Sequence, residues 1–116
     1  MYKYHVVFHI DEPSKGRADQ VLRNIENLLN DLGKDNVEVE LVANGAGVKA
    51  LVEGSESHAE QVQKLVTYGV SFVACSHSLS MLDINPEALL KSVDVVSAGV
   101  SELVKKQAQG WAYIRP

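Results

Sequence analysis

Between Tyr4 and Ile10 the chain is almost continuously apolar (YHVVFHI), too short for a helix and rich in β-branched and aromatic side chains, which predicts a strand. Asp11-Glu12-Pro13-Ser14 breaks it. Ala18, Val21, Leu22, Ile25, Leu28, Leu29 and Leu32 then recur at three-to-four spacing, the signature of a helix with one apolar face, and Gly33 supplies its stop. Val37 to Val42 (VEVELV) alternates, which predicts a strand with one face only partly covered, Glu38 and Glu40 reading as its solvated side. Asn44-Gly45-Ala46-Gly47 reads as a turn, and Val48 to Val52 is compatible with either a short helix or a loop.

Ser57-His58-Ala59-Glu60 has capping-box spacing before a helix whose apolar face is Val62, Leu65 and Val66 and whose end is Gly69. A third strand follows over Gly69 to Cys75, then a short helical turn over His77 to Leu82. Asn85-Pro86-Glu87 reads as N-cap, N1 proline and dipole-matched acid, opening a short helix through Leu90. Val93 to Val96 is a fourth strand. Val100, Leu103, Val104 and Ala108 mark a last helix closed by Gly110, and Trp111 to Ile114 is a fifth strand. Strands separated by helices of this length are normally parallel with right-handed crossovers. The expected architecture is therefore α/β: a three-layer α/β/α sandwich around a five-stranded parallel sheet.

Composition narrows this picture without redirecting it. With 116 residues, 46% of them hydrophobic and 22% charged, the chain has room for one core, so residues 1–116 are read as a single domain. So short a chain leaves much surface in water, and assembly into an oligomer is a natural route to further burial. The net charge of −4 and the scattered basic residues argue against a nucleic-acid partner. No apolar run approaches the roughly 20 residues that span a bilayer, which argues against a membrane partner. Met1 to His5 runs directly into a strand without the layout of a signal peptide, and one cysteine cannot make an internal disulfide, so a reducing, cytoplasmic location is expected.

A parallel sheet collects its strand C-termini along one edge, and ligands bind in the crevice outside that edge. Residues that follow the predicted strands are His9 and Asp11, then Asn44, Gly45 and Gly47, then Cys75, Ser76, His77 and Ser78, then Ser97 and Gly99. Cys75 stands where an apolar strand meets a polar turn, a position at which unpaired backbone N–H groups favour a thiolate. His77, if protonated and close, would favour it further, and Ser76 and Ser78 are placed to donate hydrogen bonds to the sulfur. Against this, free cysteine is among the most buried residue types and often only fills space. His9 reads either as a rim residue or as a histidine satisfied beneath a helix, and His5 as structural or surface. Trp111 and Tyr113 read as core or interface residues.

Asn44-Gly45-Ala46-Gly47 is able to cradle an anion on backbone amides, although a glycine turn explains it equally. It lacks the Gly-Lys-Ser/Thr ending of a P-loop, and GxGxxG and GxSxG are absent. Cys75 and His77 are too few for a structural zinc site; a catalytic metal would want three ligands, for which His9 would have to join them, and the expectation is no metal and no other cofactor.

From Phe72 to Ser78 (FVACSHS) the chain resembles the DsrE/DsrF-like family in its small, stand-alone branch. The resemblance extends through the opening VVFHID, the VANGAGV stretch, Leu82 to Leu90 (LDINPEALL) and the tail Gly110 to Pro116 (GWAYIRP). It implies a five-stranded parallel sheet in three layers, homotrimers or hexamers, and a sulfur donor or acceptor protein as partner. It also implies sulfur carried as a persulfide on a cysteine, with Cys75 the acceptor by the match of Ala74-Cys75. The chain departs from relay subunits in Cys75-Ser76-His77-Ser78-Leu79, His77 standing where asparagine is expected. The competing expectation is a non-enzymatic oligomeric module in which the rim around Asn44 and Ser97 binds a small ligand, or the assembly binds a protein, and the cysteine is structural.

Overall fold

The computed structural model describes residues 1–54 and 58–116. Five strands form one parallel sheet: β1 (Tyr4–Ile10), β2 (Val37–Ala43), β3 (Ser71–Cys75), β4 (Val93–Val96) and β5 (Ala112–Ile114), in the order β4-β3-β2-β1-β5. Four α-helices connect them: α1 (Lys15–Leu32), α2 (Ala59–Thr67), α3 (Ser76–Met81) and α4 (Gly99–Ala108).

The strand order dictates the layers. From β1 to β4 the chain steps in one direction across the sheet, so right-handed crossovers place the connecting helices on one face. From β4 it returns past β3, β2 and β1 to reach β5, and the same handedness puts α4 on the opposite face. The first face holds the larger core, where Val6, Phe8, Ile10, Val39, Leu41 and Phe72 meet Val21, Ile25 and Leu29 of α1 and Val62 and Leu65 of α2. The second core is small: Val7, Val42 and Val73 pack under Leu103 of α4, flanked by Val96 and Trp111.

Local chemistry sets most boundaries. Ser14 caps α1 by accepting a hydrogen bond from the Arg17 N–H at 3.2 Å, and Gly33 ends the helix at φ +91°. Asn85 caps as its sequence suggests, accepting from the Glu87 N–H at 2.9 Å. The segment it opens is only a single 3-10 turn, Pro86–Ala88, because Leu89 leaves it to form an isolated antiparallel bridge with Val52. Gly45–Leu51 is one continuous 3-10 helix, which merges the expected turn with the undecided segment after it. β3 begins at Ser71 and not at Gly69, whose φ of +93° belongs to the turn closing α2. The capping-box reading at Ser57 falls outside the described residues; α2 begins after His58, which is buried and lies 2.9 Å from Asp19 of α1.

The reading of Glu38 and Glu40 as a solvated strand face needs correction. Glu38 is partly exposed and pairs with His5 at 2.9 Å, but Glu40 is buried. Alternation shows which side of a strand a residue takes, and here α4 covers the middle of that side. Among the described residues no helix is long and apolar enough to cross a membrane.

Candidate functional site

Cys75 ends β3, and the two strands at this end of the sheet part company there. β3 runs into α3 on the first face, whereas β4, in register with it at Cys75 and Val96, runs into α4 on the second. Adjacent parallel strands whose connections leave on opposite faces open a crevice between them, the usual ligand position in such sheets. Three stretches of chain meet around the sulfur: the start of α3, the start of α4, and the loop after β2.

Cys75 is itself the N-cap of α3, and its sulfur accepts a hydrogen bond from the Ser78 N–H at 3.4 Å. The thiol is only 5% exposed. That burial is the largest single influence on its ionisation and opposes it. The Ser78 side chain and the backbone N–H groups of Gly99, Ser78 and His77 act the other way, and together they hold the thiol below its ordinary 9.0. Ser78 also reaches across the rim, where its Oγ accepts the Gly45 N–H at 2.7 Å and ties the loop after β2 to the cysteine turn.

The glycines in this region allow close approach. A Cβ on Gly47 would lie 2.3 Å from the Ile10 carbonyl oxygen, so the loop can sit against the end of β1 only with glycine there. A Cβ on Gly99 would lie 2.9 Å from the Asn44 Cβ and 3.3 Å from the Cys75 Cβ, so α4 reaches the sulfur only because its first residue has no side chain. Gly45 adopts φ +55°, a left-handed conformation glycine takes at little cost.

Asn44, which packs against Gly99 as Cys75 does, is held by His9. His9 Nε2 lies 2.7 Å from Asn44 Oδ1 and Nδ1 lies 2.6 Å from the Tyr113 hydroxyl. Both ring nitrogens are therefore engaged within the chain, and His9 orients the rim. Asp11 is engaged as well: Arg115 grips both its oxygens at 2.9 and 3.1 Å, which holds its carboxyl below the ordinary 3.8. Together with a bond from the Arg17 guanidinium to the Pro116 carbonyl, these contacts fasten the segment after α4 along the rim beside β1.

The expected site residues thus divide. Cys75, Ser78, Asn44, Gly45, Gly47 and His9 come together. Asp11 belongs to the adjoining clasp. The His77 imidazole is exposed, and this residue serves the sulfur through its backbone N–H. Ser76 is half-buried and Ser97 exposed, and neither side chain enters the network among the described residues. Tyr113 and Arg115 are additions, made neighbours of His9 and Asp11 by the pairing of β5 with β1. Among the described residues no three His, Cys, Asp or Glu side chains converge as a metal site.

Comparisons with known proteins agree with this architecture. A solved structure of MTH1491 from Methanobacterium thermoautotrophicum, described as a protein of unknown function, superposes with a TM-score of 0.91 at 44% identity, covering 97% of this chain and 99% of that one. The ychN protein from E. coli shares the fold over the full length of both chains, with a TM-score of 0.78 at 16% identity. No curated protein matches the chain. The model of the DsrE/DsrF-like family matches residues 4–116, so the chain belongs to that family.

Proposed function

We propose that this protein is a sulfur carrier that accepts sulfane sulfur as a persulfide on Cys75 and passes it to a partner thiol. The family is associated with sulfur relay in general. The observation that carries the specific reading is the polar setting of the sulfur: the Ser78 N–H bonds it at 3.4 Å, and with the Ser78 side chain and the backbone of Gly99 and His77 it outweighs burial and lowers the thiol below its ordinary value.

The chemistry asks little more of the site. The Cys75 thiolate attacks the outer sulfur of a donor persulfide, a new S–S bond forms, the donor's own S–S bond breaks, and the donor leaves as a thiolate. An acceptor thiolate then attacks the outer sulfur now on Cys75 and restores the Cys75 thiolate. Electrons balance without an added oxidant, and no metal or cofactor is called for. N–H and O–H donors that steady the thiolate before attack also steady it as the leaving group in the second step.

Such a carrier needs a sulfur donor or acceptor protein as partner and a reducing compartment, for which the cytoplasm is the natural choice. We place it in a homotrimer or hexamer. Val100 and Val104, one turn apart on α4, are each 60% exposed, and among the described residues the second face of the sheet has only this helix to cover it. Intact-protein mass after incubation with a sulfane donor tests the carrier reading. One added sulfur atom, absent in Cys75→Ala, is the expected result; no addition, or addition that survives the substitution, refutes it.

The burial of Cys75 favours a second reading, a binding module with a structural cysteine. That reading requires slow reaction with iodoacetamide at neutral pH, and rapid alkylation excludes it.

A further inference from the structure

The second face of the sheet buries a carboxyl group that sulfur transfer does not use. Glu40, in the middle of β2 beneath α4, is 7% exposed, and its Oε1 has no hydrogen-bond partner among the described residues. Its neighbours across the sheet, Val7 on β1 and Ser71 on β3, bring no charge. The charged groups that face it are Glu102 and Lys106 from α4 and Glu38 from its own strand. Glu38 is turned toward His5 of β1 at 2.9 Å. Lys106 lies 4.0 Å from Glu102 and 4.4 Å from the centroid of the Trp111 ring. Glu40 therefore faces a second carboxyl, and the cation that faces it, Lys106, is shared with that carboxyl and with the Trp111 ring.

Two carboxylates pressed together away from water cannot both stay ionised cheaply; one proton held between them removes the repulsion and supplies a hydrogen bond. Burial first, then the hydrogen bond and charge of Glu102, push Glu40 up to about 8. The pair is also connected to the thiol. Glu102 lies one helical turn after Gly99, the residue whose N–H reaches the Cys75 sulfur and whose Cα is packed against Cys75 and Asn44. One short helix carries both the donor to sulfur and the partner of the buried acid.

We propose that Glu40 and Glu102 share one proton, and that this proton seats α4 on the sheet and keeps the Gly99 N–H on the Cys75 sulfur. When the proton leaves to solvent, two negative charges oppose each other with only Lys106 beside them, α4 loosens from β2, and the thiolate loses a donor. The thiol is thereby made responsive to a titration elsewhere in the sheet. This coupling acts on Cys75 whatever the thiol carries, so it stands or falls separately from the persulfide reading.

The chain supplies its own reporter, because Trp111 is the single tryptophan and Lys106 lies over its ring. The experiment follows Trp111 emission, excited selectively, and the iodoacetamide alkylation rate of Cys75 through neutral and mildly alkaline pH. In the wild-type protein emission is expected to step with a midpoint about 8, and alkylation to depart from a single thiol titration through the same interval. Glu40→Gln, which cannot lose the proton, is expected to abolish both effects. Glu102→Gln, which removes the opposing charge, is expected to move the step down by about one pH unit or more, a tenfold change in proton affinity. A step that persists in Glu40→Gln, or is absent from the wild type, overturns the shared proton. A step unmoved in Glu102→Gln overturns the pairing, and this second variant decides the matter if Glu40→Gln fails to fold. Alkylation that follows a single titration in the wild type overturns the link to the thiol.

Discussion

His9 Nε2 and Asn44 Oδ1 lie 2.7 Å apart, and this one contact places a hydrogen on Nε2 of the first residue and orients the amide of the second. An amide oxygen only accepts, so Nε2 carries the hydrogen. In the neutral ring Nδ1 is then the acceptor, and the Tyr113 hydroxyl at 2.6 Å is its donor. Residues from β1, β5 and the loop after β2 thus form a directed chain that ends on Asn44, packed against Gly99.

Nitrogen NMR of the neutral ring is expected to show His9 as the Nε2–H tautomer. Tyr113→Phe removes one donor and leaves the ring in place, at a cost of about 1 kcal/mol in urea denaturation. His9→Ala also strands the Asn44 oxygen and is expected to cost about twice as much. The opposite tautomer would refute the assigned direction of the chain.

The thiol at Cys75 is expected to titrate below its ordinary 9.0 when followed by alkylation rate against pH, since the Ser78 side chain and the backbone of Gly99, Ser78 and His77 outweigh burial. Ser78→Ala deletes the side-chain donor and also frees the Gly45 N–H. Its alkylation midpoint should therefore rise, with the far-ultraviolet circular dichroism unchanged. A midpoint that does not move would show that Ser78 serves the loop alone.

Two glycine substitutions of the same type should have opposite outcomes. Gly47→Ala forces a Cβ to 2.3 Å from a backbone oxygen, which has no flexible side chain to give way, so a loss of at least about 3 kcal/mol, or failure to fold, is expected. Gly16→Ala meets nothing within 4 Å in the first turns of α1 and should gain a fraction of about 1 kcal/mol. Thermal melting of the two variants checks the contrast.

Asp11 and Arg115 form a solvent-exposed pair, so screening by water keeps its contribution to stability small. The Asp11 carboxyl is held below its ordinary 3.8, which means that its stabilisation is present above that value and is lost as pH falls through the lowered one. Arg115→Ala should therefore be slightly less stable than wild type at neutral pH and indistinguishable from it in strong acid.

These residues show what sequence pattern carries and what it omits. The alternation of apolar strands and periodic helices was enough to place Cys75, Asn44 and His9 on one edge of a parallel sheet. Pattern does not state strand order, and Tyr113 and Arg115 reach His9 and Asp11 only because β5 returns to lie beside β1. Gly99 could be placed on the rim from its position after β4, but its contact with Cys75 required the depth at which α4 sits. Glu40 was misread for a related reason. VEVELV shows which residues share a side of the strand, whereas the burial of that side depends on where a helix more than fifty residues later comes to rest.

That buried acid makes a prediction for the whole molecule. Glu40 holds its proton up to about 8 in the folded chain, against an ordinary 4.5 once unfolded. Between those values the folded state binds more protons than the unfolded state, so stability must fall as pH rises, by at most about 1.4 kcal/mol per pH unit. The favourable contribution is complete below 4.5 and gone above about 8. Many proteins are most stable near neutrality; here Glu40 should tilt the profile toward mild acid. Urea denaturation at a series of pH values is expected to show this slope in the wild type and a flatter profile in Glu40→Gln, with the variant the more stable of the two at alkaline pH. Parallel profiles would mean that Glu40 ionises alike in both states and that α4 covers it less tightly than its burial indicates.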